Sequence, residues 1–421
     1  MHMKRLLAAM SVAITFGAGG VAAAPAAKPY APLFEEVWGT VERELYDPHF
    51  AGQDWKAVGA RYRARLGEAR DDAGFARLAN AMLGELKLSH LYLNMPDASR
   101  AAGSTGIGAE MEEVGGERVV VEVVPLSAAQ RAGLRVGDRI RNPKALTGAL
   151  GAETSLEVVG CDGVARTVTT RHERATWPPA RPAFSWRQVT VRPGVTLGYI
   201  RIDRFDDGAA DFADLAMADL KDTQGLVIDV RRNSGGNLSA LRLASYFIEG
   251  SRPAVALAIR PYLQGLGRPF GAADMGALTP VRGAYTDAGV GEAIQAGKGA
   301  AAYYSEDLGA KRYRGKVVVV TSNATGSAGE GFAAMMRDLA NAPSVGQPTA
   351  GYILSSERYK LAGGWVLTIP TSGVWGPDAR DYGDKPVQPT VAIPRGAADF
   401  CRADDPDLSA ATDLLDRQIG R

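Results

Sequence analysis

Gly225-Leu226-Val227-Ile228-Asp229-Val230-Arg231-Arg232-Asn233-Ser234-Gly235-Gly236-Asn237 is the stretch on which the fold turns. A short apolar run without polar alternation reads as a strand buried on both faces, the kind found in parallel sheets. It passes into a turn with paired glycines, and a helix is predicted beyond it, over about 238–247. Gly235 and Gly236 lack side chains, so their N–H groups can face outward toward an anion or oxyanion. A tight structural turn accounts for the glycines equally well.

The same alternation continues on either side. Leu197-Gly198-Tyr199-Ile200-Arg201-Ile202 predicts a preceding strand, Ala209 to Leu220 a helix, and Lys316-Val317-Val318-Val319-Val320-Thr321 a later strand with a helix from Ser327. Alternating strands and helices imply right-handed crossovers and a covered α/β sheet, with functional residues at the carboxyl ends of its strands. Residues 249–314 are rich in Gly, Pro and Tyr without a clear period, and are expected to be hairpins and loops forming a lid. Trp177-Pro178-Pro179-Ala180-Arg181-Pro182 reads as a linker.

Upstream, Leu33, Phe34, Val37, Trp38, Val41 and Leu45 recur at helical spacing. Further helices are predicted over 55–66 and after Asp72. Leu88, His90 and Tyr92 then alternate with Ser89, Leu91 and Leu93, placing His90 on or beside a short strand. A β-rich unit follows, centred on Val123-Val124-Pro125-Leu126-Ser127-Ala128-Ala129-Gln130-Arg131-Ala132-Gly133-Leu134-Arg135-Val136-Gly137-Asp138-Arg139-Ile140. It resembles a PDZ domain. The resemblance makes Gly106, Ile107 and Gly108 the loop that would hold a peptide's terminal carboxylate, with the peptide added as a strand; a spacer without ligand is the alternative.

The 421 residues exceed what one core usually organises. Forty-eight Lys and Arg balance 47 Asp and Glu, so no basic surplus exists for a nucleic-acid backbone or an anionic membrane. Met1-His2-Met3-Lys4-Arg5, an uncharged stretch from Leu6 to Phe16 and small residues through Ala27 have the form of an export leader. Stable membrane insertion is not expected, and an exported, periplasmic or secreted location is. Cys161 and Cys401 are the only cysteines; export permits their pairing without requiring it.

Ser327, in Asn323-Ala324-Thr325-Gly326-Ser327-Ala328-Gly329-Glu330, is the candidate nucleophile. Ser-x-x-Glu opening a helix is also a capping box. A second glycine turn after a neighbouring parallel strand favours chemistry, because two loops can aim N–H groups at one point beside the hydroxyl. The four histidines are His2, His49, His90 and His172, so any imidazole base must come from earlier in the chain. That order discounts an α/β-hydrolase esterase, which needs a late histidine and Gly-x-Ser-x-Gly, whereas Thr325 stands at the first glycine. With so few His and Cys and no His-Glu-x-x-His, neither a zinc site nor any other cofactor is expected.

Leu88-Ser89-His90, the PDZ-like unit, Gly-Tyr-Ile-Arg-Ile, Asp-x-Arg-x-Asn-x-Gly-Gly, Gly-Ser-Ala-Gly-Glu and Val345-Gly346-Gln347-Pro348-Thr349-Ala350-Gly351 occur in the order found in carboxyl-terminal processing peptidases (tail-specific proteases). The chain resembles that family from about residue 30 to 395. The resemblance implies an α+β multidomain protein, with an N-terminal helical domain at 28–98, a PDZ-like domain at 104–172, a linker at 173–186, an α/β (ClpP/crotonase-like) peptidase domain at 187–400 and a C-terminal helix at 401–421. Where the classical branch has its lysine base, this chain has Tyr352, which excludes a Ser-Lys dyad at that place. Ser89-His90 instead match the tricorn-like branch with its Ser-His-Ser-Glu tetrad. The resemblance therefore gives Ser327 as nucleophile, His90 as general base, Ser89 as a supporting hydrogen-bonding group, and N–H groups of Ala328 and of Gly235 or Gly236 as the oxyanion hole. The tetrad's glutamate falls at Gly383; Asp384 is the preferred substitute, with Asp381 the alternative. A non-catalytic binding protein on the same scaffold, as in the related retinoid-binding repeats, is the second reading.

Overall fold

A computed structural model describes residues 30–96, 105–146, 148–174 and 182–420. The leader and most of the 177–182 linker lie outside the described residues. The stretch quoted first becomes the fully buried strand Gly225–Asp229 of a six-stranded sheet. Its order is Val391–Ala392, Ser344–Gly346, Lys316–Thr321, Gly225–Asp229, Val195–Ile202, Phe184–Arg192. All neighbours are parallel except the edge strand Phe184–Arg192, so the sheet begins inside the expected linker.

Both faces of this sheet are covered, which is why its central strands read as continuous apolar runs. Leu226, Ile228 and Val319 share a core with the helices Ala209–Leu220, Ser239–Ser245 and Ala328–Ala340. Val227, Val318, Val320 and Val345 point the other way, onto Ala411 and Leu415 of the C-terminal helix Pro406–Ile419. Strand geometry sends successive side chains to opposite faces, and here both faces are core.

The expected lid is a correction. Residues 249–314 supply the strands Pro253–Ile259 and Ala300–Tyr304, a short strand at Pro280–Val281, and the helices Arg260–Leu266, Ala272–Ala277 and Asp287–Ala296. The two longer strands build a second sheet with Val366–Trp375. Their alanines, Ala254, Ala256, Ala258, Ala300 and Ala302, are wholly buried, yet alanine carries little β signal, and the short helices fall below the window in which a period is visible.

The N-terminal helices Ala31–Glu44, Trp55–Ala64 and Asp72–Gly84 pack onto this second sheet, with Phe34, Val37, Phe75 and Met82 against Trp365, Leu367 and Ile369. The strand Tyr92–Asn94 completes the sheet, running antiparallel to Val366–Trp375 with Leu93 opposite Leu367. A small β domain has a core of its own. Its strands Ala109–Val114, Glu117–Val123, Arg139–Ile140, Glu153–Val159 and Ala165–Arg171 form an antiparallel sheet around Val120, Ala129, Leu134, Leu156 and Val168. Cys161 and Cys401, whose pairing the sequence left open, form a disulfide across a sequence separation of 240.

Candidate active site

Ser327 follows the strand Lys316–Thr321 and is the residue before the helix Ala328–Ala340, at φ 51° and ψ −122°. Positive φ is uncommon in a residue with a side chain and costs backbone strain. The strain is held by neighbours: Ser327 N–H donates to Tyr352 O at 2.7 Å and to Glu330 Oε2 at 3.2 Å. A capping box and a free hydroxyl at Ser327 are thus compatible, since Glu330 serves the Ser327 amide while the hydroxyl lies against Gly235. A Cβ placed on Gly235 would come within 2.7 Å of Ser327 Cβ and 3.1 Å of its Oγ.

The glycine turn after Gly225–Asp229 interlocks with the Ser327 loop. Gly326 N–H donates to Asn233 O at 2.9 Å, and Thr325 Oγ1 donates to Val230 O at 2.9 Å. Gly235 and Gly236 sit at φ +125° and +137°, and a Cβ on Gly236 would overlap Phe205 O at 1.7 Å. The two glycines are not equivalent as donors. Gly235 N–H is already spent on Asn233 Oδ1 at 2.9 Å, while Gly236 is exposed beside it. Arg231 anchors the turn from below: its guanidinium pairs with Asp229, Asp405 and Asp407. Burial pushes Asp229 up, but Arg231 outweighs it and holds the carboxyl below its ordinary range.

His90, half-buried at φ 55°, lies just ahead of the strand Tyr92–Asn94. Its Nδ1 is 3.0 Å from Ser89 Oγ, and Ser89 N–H donates to Asp384 Oδ2 at 2.7 Å. Asp384 Oδ1 is buried with no hydrogen-bond partner among the described residues. Burial lowers the His90 pKa, and the charge of Asp384 opposes that fall. Asp381 is exposed and occupied by Lys385 and by Gly383 N–H, so Asp384 is the carboxylate that faces the Ser89-His90 pair. It does so through the Ser89 amide rather than the hydroxyl.

Glu330, read from sequence only as a capping residue, is the hub joining these parts. Its buried carboxylate accepts from Thr349 Oγ1 at 2.5 Å, Gly351 N–H at 2.6 Å and Tyr352 N–H at 2.6 Å. Burial pushes it above the usual carboxyl range, while these donors pull it back. The loop it holds touches the Asp384 segment in turn: Val387 N–H donates to Thr349 Oγ1 at 2.7 Å, and a Cβ on Gly351 would lie 3.0 Å from Pro386. Ser327 and His90 are therefore linked through 349–352 and 384–387, although no hydrogen bond joins the two side chains directly. The Tyr352 side chain is turned outward, 58% exposed, while its backbone serves both Ser327 and Glu330.

In the small β domain, the carbonyls of Ile107 and Gly108 accept from Ala129 N–H at 2.7 Å and Val124 N–H at 2.9 Å. Ile107 is core. A cavity of about 320 Å³ in this domain is lined by Val121, Glu122, Val123, Gln130, Leu134, Arg135 and Val136, and not by Gly106, Ile107 or Gly108.

Several known proteins are similar to this chain. A tricorn protease homolog of Streptomyces coelicolor is 26% identical over 433 residues, covering 93% of this chain and 32% of that protein. The carboxy-terminal processing protease CtpB of Bacillus subtilis is 28% identical over 172 residues, 37% of this chain and 35% of CtpB. The chloroplastic C-terminal processing peptidase of Tetradesmus obliquus is 28% identical, over 48% of this chain and 51% of that protein. The chain thus spans a third to about half of the length of these curated relatives. Two solved structures share the fold: the photosystem II D1 C-terminal processing protease (TM-score 0.53, 21% identity, 91% of this chain and 96% of that one) and mature CPAF (TM-score 0.61, 13% identity, 92% and 95%). This chain carries a segment, residues 196–393, that matches peptidase family S41, behind a segment, residues 27–84, that matches the tricorn protease C1 domain.

Proposed function

We infer that the chain is a serine endopeptidase that cleaves peptide bonds of exported proteins or peptides through an acyl-enzyme, with Ser327 as nucleophile and His90 as base. The observation that carries this reading is the antiparallel pairing of Tyr92–Asn94 with Val366–Trp375, together with the Ser89 to Asp384 hydrogen bond. These bring an early imidazole to the segment packed against the Ser327 loop. A closing movement on substrate binding then supplies the hydrogen bond between His90 and Ser327.

In this mechanism His90 takes the Ser327 proton as Oγ attacks the carbonyl, with Ser89 Oγ on Nδ1 fixing the imidazole tautomer. Asp384 stabilises the imidazolium by its charge. The N–H groups of Gly236 and Ala328 receive the oxyanion, each donor contributing about 10²–10³ in rate; Gly235 supplies clearance for Ser327 rather than a donor. Protonated His90 releases the amine, and water clears the acyl group by the reverse path. The small β domain, with its PDZ-like order of strands and helix, presents the peptide, and the groove beside Val121 and Val123 suits an added strand. The disulfide and the leader-like start of the chain support an exported, oxidising location.

The test is labelling by a fluorophosphonate, read by intact mass and peptide mapping in the native chain, Ser327→Ala and His90→Ala. An adduct confined to Ser327, lost in the first variant and slowed in the second, is expected. No adduct at Ser327 would leave the non-catalytic binding protein as the better reading.

A further inference from the structure

Arg231 and Arg232 are adjacent at the head of the turn that carries Gly235 and Gly236, and they reach to different bodies. Arg231 is buried against Asp229, Asp405 and Asp407, the last two at the start of the C-terminal helix. Arg232 pairs with Glu110 and, at 2.5 Å, with Glu122, which lie on the strands Ala109–Val114 and Glu117–Val123 of the small β domain. The side chain of Glu122 is 13% exposed and that of Glu110 57%, so the contact spans from the domain interior to its surface.

The small domain is held a second time nearby. Cys161, in the turn between the strands Glu153–Val159 and Ala165–Arg171, is bonded to Cys401, which ends the helical turn Ala397–Cys401 shortly before Asp405. Ala397 and Phe400 pack on Val114 and Val119 of the same domain. A Cβ on Gly137 would lie 2.4 Å from one sulfur and 2.8 Å from the other, so the bond is seated in the domain surface. Both cysteines are nevertheless exposed as residues. Ring closure is complete: small domain, disulfide, Asp405 and Asp407, Arg231, Arg232, and back to Glu110 and Glu122.

We propose that the Cys161–Cys401 disulfide is a redox clasp that keeps Glu110 and Glu122 on Arg232 and thereby fixes the Gly235-Gly236 turn, making Arg232 a positioning residue. The assignment rests on the reading of that turn as an oxyanion loop. Ion pairs near a surface are individually weak, and a covalent tether raises the effective concentration of their partners. Opening the clasp needs a dithiol reductant. One of its thiolates attacks a sulfur of the pair and the S–S bond breaks; its second thiol then displaces the mixed disulfide. Two electrons and two protons pass to Cys161 and Cys401, which become thiols as the dithiol becomes a disulfide.

Hydrogen exchange of the full chain tests this without relying on turnover. Treatment with a dithiol that frees two thiols per chain is expected to speed exchange across residues 231–237 about ten-fold, with the strand Gly225–Asp229 unchanged. The double variant Cys161→Ser/Cys401→Ser should exchange at that faster rate and ignore the dithiol. Arg232→Ala should be fast even when oxidised, with Arg232→Lys restoring part of the protection. Unchanged exchange in 231–237 after both thiols are freed, or wild-type protection in oxidised Arg232→Ala, overturns the clasp. Fluorophosphonate labelling of the same samples keeps the two readings separate: a chain that never labels counts against the peptidase, while exchange still decides the clasp.

Discussion

Replacing Gly235 by alanine tests the arrangement of the two interlocked loops most directly. The added Cβ would stand 2.7 Å from Ser327 Cβ and 3.1 Å from Oγ, whereas carbon atoms pack at about 3.5–4.0 Å. One loop must retreat by about 1 Å, and misplacement of that size costs about 10²-fold in rate. The backbone at φ +125° adds strain of about 1–3 kcal/mol for any residue with a Cβ. Fluorophosphonate labelling of Ser327 in Gly235→Ala should therefore slow at least about 10²-fold, with a melting temperature lowered by several degrees. Gly250→Ala is the control: it shares a positive φ of +68° but meets nothing within 4 Å, so it should lose stability and keep the labelling rate. A folded Gly235→Ala that labels at the wild-type rate would refute the claim that this turn abuts the reacting hydroxyl.

The pH dependence of labelling follows from His90. Burial lowers its pKa below 6.5, so the neutral base persists into mildly acidic solution, and the acid limb of the rate should have its midpoint below the ordinary histidine value. The matching stability contribution is whole above the unfolded pKa and is lost as pH falls through the folded one. Asp384→Asn removes the charge that opposes the lowering, so the acid limb should move further down; an upward move would dissociate Asp384 from His90. His90→Ala should cut labelling by about 10²–10⁴ as a lost general base while calorimetry shows little change in melting temperature, and a large fall would mark His90 as structural. Glu330→Ala strips the acceptor from Thr349, Gly351 and Tyr352, each unsatisfied donor costing about 1–3 kcal/mol, so thermal unfolding should shift down by well over the few degrees expected for Gly235→Ala.

Particular residues show how far the sequence can be read. The main sheet is legible: the run from Leu226 to Ile228 is apolar on both faces because both faces are buried, and that state leaves a pattern in the chain itself. The three N-terminal helices are legible for a related reason, their buried stripe recurring at helical spacing. The second sheet is not, since alanine-rich strands such as Ala300–Tyr304 carry neither alternation nor bulk. Ser327 and His90 can be named as candidates from residue type and order, whereas Asp384 stands in the sequence only as one of two carboxylates beside Asp381. The hub role of Glu330 cannot, because its partners Thr349, Gly351 and Tyr352 come from a distant loop.

By itself the sequence determined the alternating strands and helices, the small β domain, the exclusion of a late histidine and the residue types available for chemistry, since these depend on local periodicity and composition. Only the tertiary structure decided that Asp384 rather than Asp381 meets Ser89, that Gly235 spends its N–H on Asn233, and that Cys161 reaches Cys401. Each of those facts depends on where side chains distant in sequence come to rest, with a separation of 295 residues between Ser89 and Asp384 alone. Strand pairing and core packing set those distances, and neither leaves a mark on the local pattern of residues.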